Sequence, residues 1–338
     1  MQAMAGGQHG GAEAFFDRLV PALARTGLEQ RALVRPSPER LRILADAAVP
    51  AVPLRFGGPL DLPSRWRFRH QIRDFRPNIV LTWMRRATAA CPVGDFVHAA
   101  RLGGYYNVES FRHCDHLIAN TRDLCDYLIE GGWAAERVHY LPNFVSDETA
   151  PAIAREAHGT PEEAPLILAL GRLHRDKGFD VLLHALATLP DAYLWLLGEG
   201  REWARLEGLA KTLCVADRVR FLGWSERPAA YYAAADVVAC PSRKEALGNV
   251  VIEAWAQSRP VVAARAPGPA ALVDDGVNGL LVAVDDADEL AAAIRHLLDS
   301  HTLRGDLVAA GRESYLAAFT ESAVVDAYGA FFRRVAPG

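Results

Sequence analysis

Short runs of apolar residues alternate along the whole chain with longer amphipathic segments whose apolar positions recur at helical spacing. A short apolar run bounded by turn residues is typical of a buried strand, and strands that alternate with helices predict βαβ units with parallel sheets. In the first half of the chain we predict strands at Gln2–Met4, Gln30–Val34, Asn78–Trp83, Phe96–Ala100, His116–Asn120 and Val138–Pro142. The helices predicted there are Gly11–Arg25, Pro63–Phe75, Ser110–Cys114 and Thr121–Gly131.

The second half of the chain repeats the same alternation, which predicts a second parallel sheet covered by helices. Its predicted strands are Leu166–Gly171, Tyr193–Gly198, Val219–Leu222, Asp236–Cys240, Pro260–Ala263 and Gly279–Val282. Its predicted helices are Gly178–Thr188, Arg201–Leu213, Ala229–Ala234, Asn249–Gln257, Ala287–Ser300 and Thr302–Phe319.

The length of 338 residues exceeds what one hydrophobic core usually holds, so two domains are expected. The stretch Ser146–Pro165 is rich in Ala, Glu, Pro and Thr and has no apolar period, which indicates a linker. We predict an α/β fold with two doubly wound, parallel-sheet, Rossmann-like domains at 1–150 and 166–318, joined by a linker at 151–165. The domains are expected to face across a cleft, because open α/β sheets bind ligands at the carboxyl ends of their strands.

Composition and charge narrow the class of protein. Hydrophobic residues make up 51% and charged residues 23% of the chain, as in a soluble globular protein, and the net charge of −4 argues against a nucleic-acid partner. No apolar run approaches the roughly 18 residues that span a bilayer, and no secretory signal is visible, so a cytoplasmic location is expected. The five cysteines show neither a CxxC motif nor a histidine spacing suited to zinc, which predicts reduced structural thiols.

Two cations follow the first strand of the second half. Arg172 and Lys177 lie on the loop that leaves the apolar strand Leu166–Gly171, and Gly178 opens the next helix. A guanidinium that can bind two oxygens at once and a mobile ammonium suit a diphosphate, whose charge must be stabilised when a glycosidic bond breaks. The alternative is that both are solvated charges on a loop.

Two glutamates stand on either side of a turn later in the same half. Glu245 precedes the turn Gly248-Asn249, and Glu253 lies one turn into the helix that follows. The first turn of a helix exposes backbone N–H groups, so this one can bind a phosphate. Glu253 is then close enough for ribose hydroxyls, and Glu245 can accept hydrogen bonds from sugar hydroxyls. The alternative is that neither residue binds a ligand, so that Glu245 is a solvated charge on a loop and Glu253 a carboxylate on the surface of a helix.

Glycine-rich turns mark three further places. Gly10 and Gly11 follow a short strand and allow close approach of a bound group, but they lack the G-x-G-x-x-G order of a dinucleotide fingerprint. The turn Gly198–Gly200, together with Phe221–Trp224, can form the wall of a base pocket, or these glycines are simply turn residues.

Asp286-Ala-Asp288 reads D-x-D, but its place before a helix predicts N-capping rather than metal binding.

Together these patterns resemble the retaining glycosyltransferases of family 4 (glycosyl transferases group 1), of the bacterial surface-polysaccharide and lipopolysaccharide type, which have the GT-B fold. The resemblance covers nearly the whole chain and is most specific at 166–283. Its motifs are G-R-L-x3-K-G at 171–178, G-E-G at 198–200, F-L-G at 221–223, E-A-L-G at 245–248 with a second Glu at 253, P-V-V-A at 260–263 and D-G-x-N-G-L-L-V at 275–282.

The resemblance implies a site for a nucleotide-diphosphate sugar, in which Arg172 and Lys177 bind the diphosphate. It also implies that Glu253 binds the ribose and that Glu245 contacts the transferred sugar. The implied donor-binding set is Gly10, Gly11, Gly171, Arg172, Lys177, Gly198, Leu222, Glu245, Ala246, Leu247, Gly248, Asn249, Val250 and Glu253. The implied catalytic set is Glu245, Arg172, Lys177, Arg101 and His98. The segment 319–335 resembles the terminal helix that crosses back onto the first domain.

The chain departs from the family pattern at two places. Many members have a His in the first domain near the position of Arg101, and here His98 lies three residues earlier. Either residue is a candidate for the contact with the sugar. Family members often have a Glu where this chain has Ala271, and its replacement predicts weaker or differently organised donor binding.

The implied activity is transfer of a sugar from a nucleotide-diphosphate donor, with UDP expected, to a hydroxyl of a glycan or lipid-linked acceptor in bacterial envelope synthesis. Anomeric configuration is retained, and because protein cations stabilise the leaving group, no metal or other cofactor is expected. Two alternatives are a non-catalytic nucleotide-sugar-binding subunit and a sugar-nucleotide epimerase with the GT-B fold.

A basic segment with interleaved aromatic residues spans Arg65–Arg76. Phe68, Ile72 and Phe75 fall on one helical stripe. One interpretation is a surface helix that packs this stripe inward beneath solvated arginines. The other is a surface for anionic lipid or a charged glycolipid acceptor, which would give peripheral contact with the inner face of a membrane.

Overall fold

The chain forms two compact units, each built around its own parallel sheet. A computed structural model describes residues 1–7, 10–58, 60–225 and 227–336. The first unit comprises Met1–Phe144 and the C-terminal segment from Glu321, and the second comprises Val145–Thr320. The predicted fold of two doubly wound, Rossmann-like α/β domains is therefore confirmed.

The first unit contains a seven-stranded sheet in the order β3-β2-β1-β4-β5-β6-β7, and all of its neighbouring strands are parallel. Its strands are β1 (Gln2–Met4), β2 (Ala32–Val34), β3 (Ala51–Pro53), β4 (Ile79–Trp83), β5 (Val97–Leu102), β6 (His116–Ala119) and β7 (Val138–Tyr140). Its helices before residue 145 are α1 (Gly11–Arg25), α2 (Pro38–Asp46), α3 (Leu62–Phe75), α4 (Met84–Ala90) and α5 (Arg122–Glu130).

The second unit contains a six-stranded parallel sheet in the order β10-β9-β8-β11-β12-β13. Its strands are β8 (Leu166–Leu170), β9 (Tyr193–Leu197), β10 (Val219–Gly223), β11 (Val237–Cys240), β12 (Val261–Ala264) and β13 (Leu280–Val282). Its helices are α6 (Phe179–Ala187), α7 (Trp203–Thr212), α8 (Ala229–Ala234), α9 (Asn249–Ala256), α10 (Pro267–Leu272), α11 (Ala287–Asp299) and α12 (His301–Ala318). The central strands are apolar throughout because helices cover both faces of the sheet.

The last helix, α13 (Glu321–Val335), belongs to the first unit although it follows the second in sequence. Its buried face carries Val324, Val325, Tyr328 and Phe331, which pack into the same apolar cluster as Phe15 of α1. The helix of this terminal segment begins at Glu321, whereas the predicted segment begins at residue 319.

Several elements differ from the prediction. The helix predicted at Ser110–Cys114 is wrong, because the chain there makes only a 3-10 turn at Val108–Phe111 before β6. Sequence analysis also missed α2, β3, α4 and α10. Only Arg40 and Leu44 of α2 are buried, so the apolar residues of this helix show no clear helical period. The prolines of α10 usually indicate a loop, but here they lie in the first turn of a helix, where proline is tolerated.

The segment treated as a linker lies within the second unit, since the division between the units falls after Phe144. Polar bonds hold it in addition to the packing of Ile153 against the core of the second unit. The Arg155 guanidinium donates to the carbonyl oxygen of Ala234 at 2.7 Å and to the Asp236 carboxylate at 3.1 Å. The Ile153 amide donates to the Ala230 carbonyl at 3.1 Å. The segment forms no α-helix or strand, so its sequence shows no hydrophobic period and resembles that of a free connection.

Within the described residues, every helix is too short or too polar to cross a bilayer.

A pair of histidines anchors the end of α13. Arg334 donates to Nδ1 of His139 at 2.9 Å, so His139 donates through Nε2 to Nδ1 of His116 at 3.0 Å. Phe331 of α13 packs against both rings. Burial, His116 and the charge of Arg334 together lower the pKa of His139 to about 4.

Acid is expected to destabilise the first unit through His139. Its folded-state pKa lies below the unfolded value of about 6.5, so its contribution is complete above pH 6.5 and is lost as the pH falls toward 4. Because solvent reaches part of the ring, we expect a loss of about 1–2 kcal/mol. Chemical denaturation at several pH values measures it. The pH dependence should weaken in His139→Gln and persist in His70→Gln on the exposed side of α3, and an unchanged dependence in His139→Gln would contradict the assignment.

Candidate functional site

The loops after β8, β9 and β11 meet at the carboxyl edge of the second sheet. The loop after β8 carries Arg172 and ends in a 3-10 turn at Arg175–Lys177, and the loop after β11 carries Glu245. The Lys177 ammonium donates to Oε2 of Glu245, which makes an ion pair between residues 68 positions apart in sequence. The structure thus brings together the two charged groups that sequence analysis assigned to the diphosphate and to the sugar.

Close backbone approach fixes these loops to one another. Gly178 has φ +66°, and a Cβ there would lie 2.0 Å from the carbonyl oxygen of Pro241. Gly198 has φ +149°, and a Cβ there would lie 2.0 Å from the carbonyl oxygen of Gly171. Any side chain at either position would push the loops apart, so the sequence requires glycine for geometric reasons.

The ion pair is partly shielded from solvent. The side chains of Lys177 and Glu245 are 24% and 18% exposed, and Ser242 donates to the same carboxylate oxygen at 3.4 Å. Burial alone lowers the pKa of Lys177, but Glu245 and Cys240 outweigh it, so the pKa lies above its ordinary value. The ammonium is therefore charged at neutral pH, and its remaining two N–H donors can bind a second anion.

Arg172 is a cation of this loop that is not engaged with another described side chain. Its side chain is exposed, and it makes no hydrogen bond or ion pair with the described residues. It lies close enough to oppose the charge of Lys177. Two cations held near each other without a shared anion favour binding of a ligand that carries two negative charges.

The first turn of α9 supplies a third positive feature. Gly248 caps the helix in the left-handed conformation, with φ +85°, and offers no side-chain cap. The positive end of the helix dipole is therefore directed toward the loop that carries Glu245. Asn249 and Val250 form the start of this turn, as predicted, and both are half-buried.

Glu253 is held in place by a residue that sequence analysis missed. The Tyr232 hydroxyl donates to Oε2 of Glu253 at 2.8 Å. Tyr232 is buried on α8, and burial followed by the Glu253 carboxylate raises its pKa, so the hydroxyl stays protonated and remains a donor. Its signal in the sequence was only a Tyr within a short Ala-rich helix, which does not reveal the partner.

Arg243 is a second residue that the sequence analysis missed. Its guanidinium binds both carboxylate oxygens of Asp180 on α6, at 2.8 and 3.0 Å, and donates to the carbonyl oxygen of Arg175 at 2.8 Å. Its backbone N–H donates to the carbonyl oxygen of Asp176 at 2.7 Å. Arg243 therefore connects the loop of Glu245 to the turn of Lys177 and fixes their separation.

The other residues of the predicted donor set have mixed surroundings. Leu247 is 4% exposed and belongs to the apolar core, so its side chain is a packing residue. Val250 packs against the same cluster, whereas Ala246 is half-buried beside Glu245. Ala271 lies on α10 with its methyl group exposed.

The predicted base pocket stays a prediction. Leu222 is half-buried at the end of β10 and lines a cavity of about 350 Å³ with Phe221, Trp203 and Arg220. Trp224 is 73% exposed. Neither Trp224 nor these four side chains that line the cavity make a described contact with the Lys177–Glu245 pair.

In the first unit, Gly10 and Gly11 form the start of α1. Gly10 is extended, and a Cβ there would lie 2.3 Å from the Glu13 carboxylate, which folds back over the turn and accepts from the Gly7 amide at 3.0 Å. The glycine is therefore needed to accommodate Glu13. Gln8 and His9 of this glycine-rich segment lie outside the described residues.

The catalytic role expected for Arg101 or His98 stays a prediction, because both side chains are buried and engaged with neighbouring residues. Arg101 is 5% exposed; it donates to the Tyr328 hydroxyl at 2.8 Å and to Asn143, and its guanidinium lies 4.6 Å from the centre of the Phe15 ring. It thus holds α13 against the sheet. His98 faces the other side of β5, where it is buried beside Thr82 at 3.0 Å. Sequence position alone could not distinguish these packing roles from catalysis.

A buried amide lies at the carboxyl end of β6. Asn120 is 5% exposed, and its Oδ1 has no hydrogen-bond partner among the described residues. Gly103 lies beside it, since a Cβ there would be 3.9 Å from Nδ2 of Asn120. Buried polar atoms nearly always have partners, so this amide is suited to a ligand hydroxyl. Sequence analysis did not single it out.

Comparison with known proteins extends over both units. The family described as "Glycosyltransferase Family 4" matches residues 9–149, and the family described as "Glycosyl transferases group 1" matches residues 152–314. The lipopolysaccharide core biosynthesis glycosyltransferase LpsE of Rhizobium meliloti (strain 1021) is 38% identical over 95% of this chain and 95% of its own length. LpsD of the same organism is 36% identical over 97% of this chain and 96% of its own length.

Solved structures show the same fold. The Anabaena protein Alr3699/HepE, crystallised in complex with UDP, has a TM-score of 0.86 to this chain at 19% identity, over 98% of this chain and 99% of its own. The match of both family descriptions, together with full-length relatives above 30% identity, settles the classification: this chain belongs to glycosyltransferase family 4.

Proposed function

We propose that this chain transfers a sugar, with retention of anomeric configuration, from a UDP-linked donor to a hydroxyl of a lipopolysaccharide core acceptor. The observation that carries the proposal is the cluster of Lys177, Glu245 and Arg172 beside the first turn of α9. The names of the two Rhizobium relatives support the acceptor class. The UDP and UDP-glucose complexes of the Anabaena protein support the donor class.

The diphosphate would bind where positive charge converges. Arg172 can bind two phosphate oxygens at once, and Lys177 can donate to a third while it keeps its bond to Glu245. The start of α9 adds partial positive charge from its backbone. These groups stabilise the negative charge that develops on the diphosphate as the glycosidic bond breaks, which lowers the barrier to transfer.

The two glutamates would position the sugar and the ribose. Glu245 keeps one carboxylate oxygen on Lys177 and Ser242, which leaves its other oxygen to accept from a sugar hydroxyl. Glu253 is oriented by Tyr232 and can accept from ribose hydroxyls. Neither carboxylate is proposed as a nucleophile, because one is tied to an ammonium and the other to a phenol.

Retention then follows from attack on the face that the diphosphate leaves. The acceptor oxygen forms its bond to the anomeric carbon as the bond from that carbon to the phosphate oxygen breaks. The acceptor proton passes to the departing phosphate oxygen, so UDP leaves with that proton and charge balances. Protein cations supply the stabilisation, so the proposed step uses no metal ion or other cofactor.

The first unit is proposed to take the acceptor. Asn120 offers a buried amide oxygen without a described partner, at the carboxyl edge where doubly wound sheets bind ligands. An acceptor hydroxyl is a fitting partner, because it donates a hydrogen bond without bringing charge into a buried place.

The helix α3 is proposed to rest on anionic lipid, which would place the chain at the inner face of a membrane. Phe68 is buried, so part of the aromatic stripe packs inward. Leu62 and Trp66 are each 67% exposed, and Arg67, Arg69 and Arg73 are exposed as well. An exposed Trp among arginines is typical of a surface that contacts lipid headgroups.

A non-catalytic nucleotide-sugar-binding subunit is the second candidate, because Arg101 and His98 are committed to packing. Incubation with UDP-glucose and other UDP-sugars distinguishes the two functions. Slow release of UDP from one sugar donor supports the transferase. Tight binding of a UDP-sugar without release or transfer, with the acceptor fraction present, favours the second function.

Loss of the Lys177 ammonium should weaken UDP binding. A hydrogen bond to a charged group contributes about 1.5–3 kcal/mol, so Lys177→Ala should bind UDP roughly ten- to a hundredfold more weakly by calorimetry. Lys244→Ala, an exposed lysine in the loop of Glu245, is the matched control and should bind as the wild type does. Equal affinity in Lys177→Ala would remove Lys177 from the diphosphate site.

Neutralising Glu245 should affect turnover more than binding. Glu245→Gln keeps the size of the side chain and an acceptor oxygen for Lys177, but it weakens the hold on the sugar hydroxyls. We expect turnover to fall about a hundredfold or more, with UDP affinity within about threefold of wild type. The exposed Glu207→Gln serves as control. Unchanged turnover in Glu245→Gln would contradict its assigned role.

Transfer should continue in the presence of a chelator. Turnover measured with excess EDTA, at a temperature well below unfolding, should match turnover with added Mg²⁺ or Mn²⁺ within about twofold. Activity that disappears with EDTA and returns with one of these ions would contradict the proposed role of the protein cations.

A further inference from the structure

We propose that His98, His113 and Cys114 form a site for Zn²⁺ at the amino edge of the first sheet. This site is independent of the proposed transfer reaction. His98 lies near the start of β5, and Cys114 lies just before β6, so both are at the edge opposite to the carboxyl ends of the strands. The ion would fasten the loop before β6 to β5.

The three side chains converge. Each offers one ligand atom, and these atoms lie within 4.8 Å of one another. Nε2 of His98 is 3.9 Å from Sγ of Cys114, and the rings of His98 and His113 are 5.5 Å apart. Ligands of a tetrahedral zinc ion, at about 2.1 Å for nitrogen and 2.3 Å for sulfur, lie about 3.5–4 Å from each other. The site therefore needs to contract by only about 1 Å.

The outer hydrogen bonds suit a metal. Nε2 of His113 lies 3.0 Å from the Thr88 carbonyl oxygen, so it donates its proton there and leaves Nδ1 with the lone pair that a metal requires. Metal-bound histidines usually donate their other ring N–H to a carbonyl or carboxylate in this way. The bond of His98 to Thr82 would be replaced by the metal, and the Thr82 hydroxyl keeps the Ala99 carbonyl and Thr88 as partners.

The two segments that carry the ligands are already fixed to each other. The His98 amide donates to the Asp115 carboxylate at 2.8 Å, and the Asp115 amide donates to the His98 carbonyl at 2.8 Å. This reciprocal pair holds the register of β5 against the loop before β6. An ion that binds there meets ligands that are already close together.

The ligand set selects the class of metal. One thiolate and two imidazoles suit Zn²⁺ better than Mg²⁺ or Ca²⁺, which prefer oxygen ligands. Cys114 binds as thiolate, so one proton passes to solvent when the metal–sulfur bond forms. His113 is exposed, which gives the ion a route of entry and leaves the fourth position to water.

The test uses Co²⁺ as a spectroscopic substitute for Zn²⁺ in the full-length protein. We expect one Co²⁺ per chain, with a thiolate-to-cobalt charge-transfer band that Zn²⁺ abolishes. Cys114→Ser should lose the band. His113→Gln should weaken Zn²⁺ binding at least about tenfold, and because His113 is exposed, we expect this variant to fold as the wild type does. Cys214→Ala, which removes an exposed thiol elsewhere, is the control and should behave as wild type.

Two further measurements keep the outcome unambiguous. In wild-type protein, Zn²⁺ should slow alkylation of Cys114 by iodoacetamide and raise the unfolding temperature, while UDP affinity stays the same. No stoichiometric binding, or a charge-transfer band that survives in Cys114→Ser, would overturn the proposal. Because UDP binding is measured in the same samples, failure of the metal site is distinguishable from failure of the proposed transferase function.

Discussion

The ion pair between Lys177 and Glu245 is the interaction on which the proposed chemistry depends. It joins the loop after β8 to the loop after β11, and it keeps an ammonium charged in a partly buried place. Removing either partner would leave the other charge unpaired in a poorly solvated place, which destabilises the folded protein. The pair therefore holds an ammonium and a carboxylate, both largely shielded from water, at the sheet edge. In the proposed function these groups bind the diphosphate and the sugar.

Several contacts fix the position of the pair and of the neighbouring Glu253. Gly178 and Gly198 let the loop backbones meet at distances that no side chain permits. Arg243 connects the same loops from outside through Asp180. Tyr232 orients Glu253. A preorganised site of this kind stabilises developing charge without having to rearrange during the reaction. Helices α6 and α9 begin at this edge because the parallel sheet places every strand-to-helix turn there.

Sequence reasoning placed correctly the elements that depend on local pattern. The strand β8, the loop of Arg172 and Lys177 and the turn before α9 follow from apolar runs, glycines and charges that are neighbours in sequence. It could not predict contacts between residues that are distant in sequence. Nothing local shows that Arg101 packs between aromatic rings and Tyr328, 227 residues away. The convergence of His98 with Cys114 is hidden for the same reason, because spacing of 16 residues matches no local metal motif.

The most direct test of the account is a crystal structure of the protein with UDP bound. The account predicts that the diphosphate lies within hydrogen-bond distance of the Lys177 ammonium and the Arg172 guanidinium, over the first turn of α9, with the ribose hydroxyls on Glu253. A diphosphate bound elsewhere, with the Lys177–Glu245 pair untouched, would contradict it.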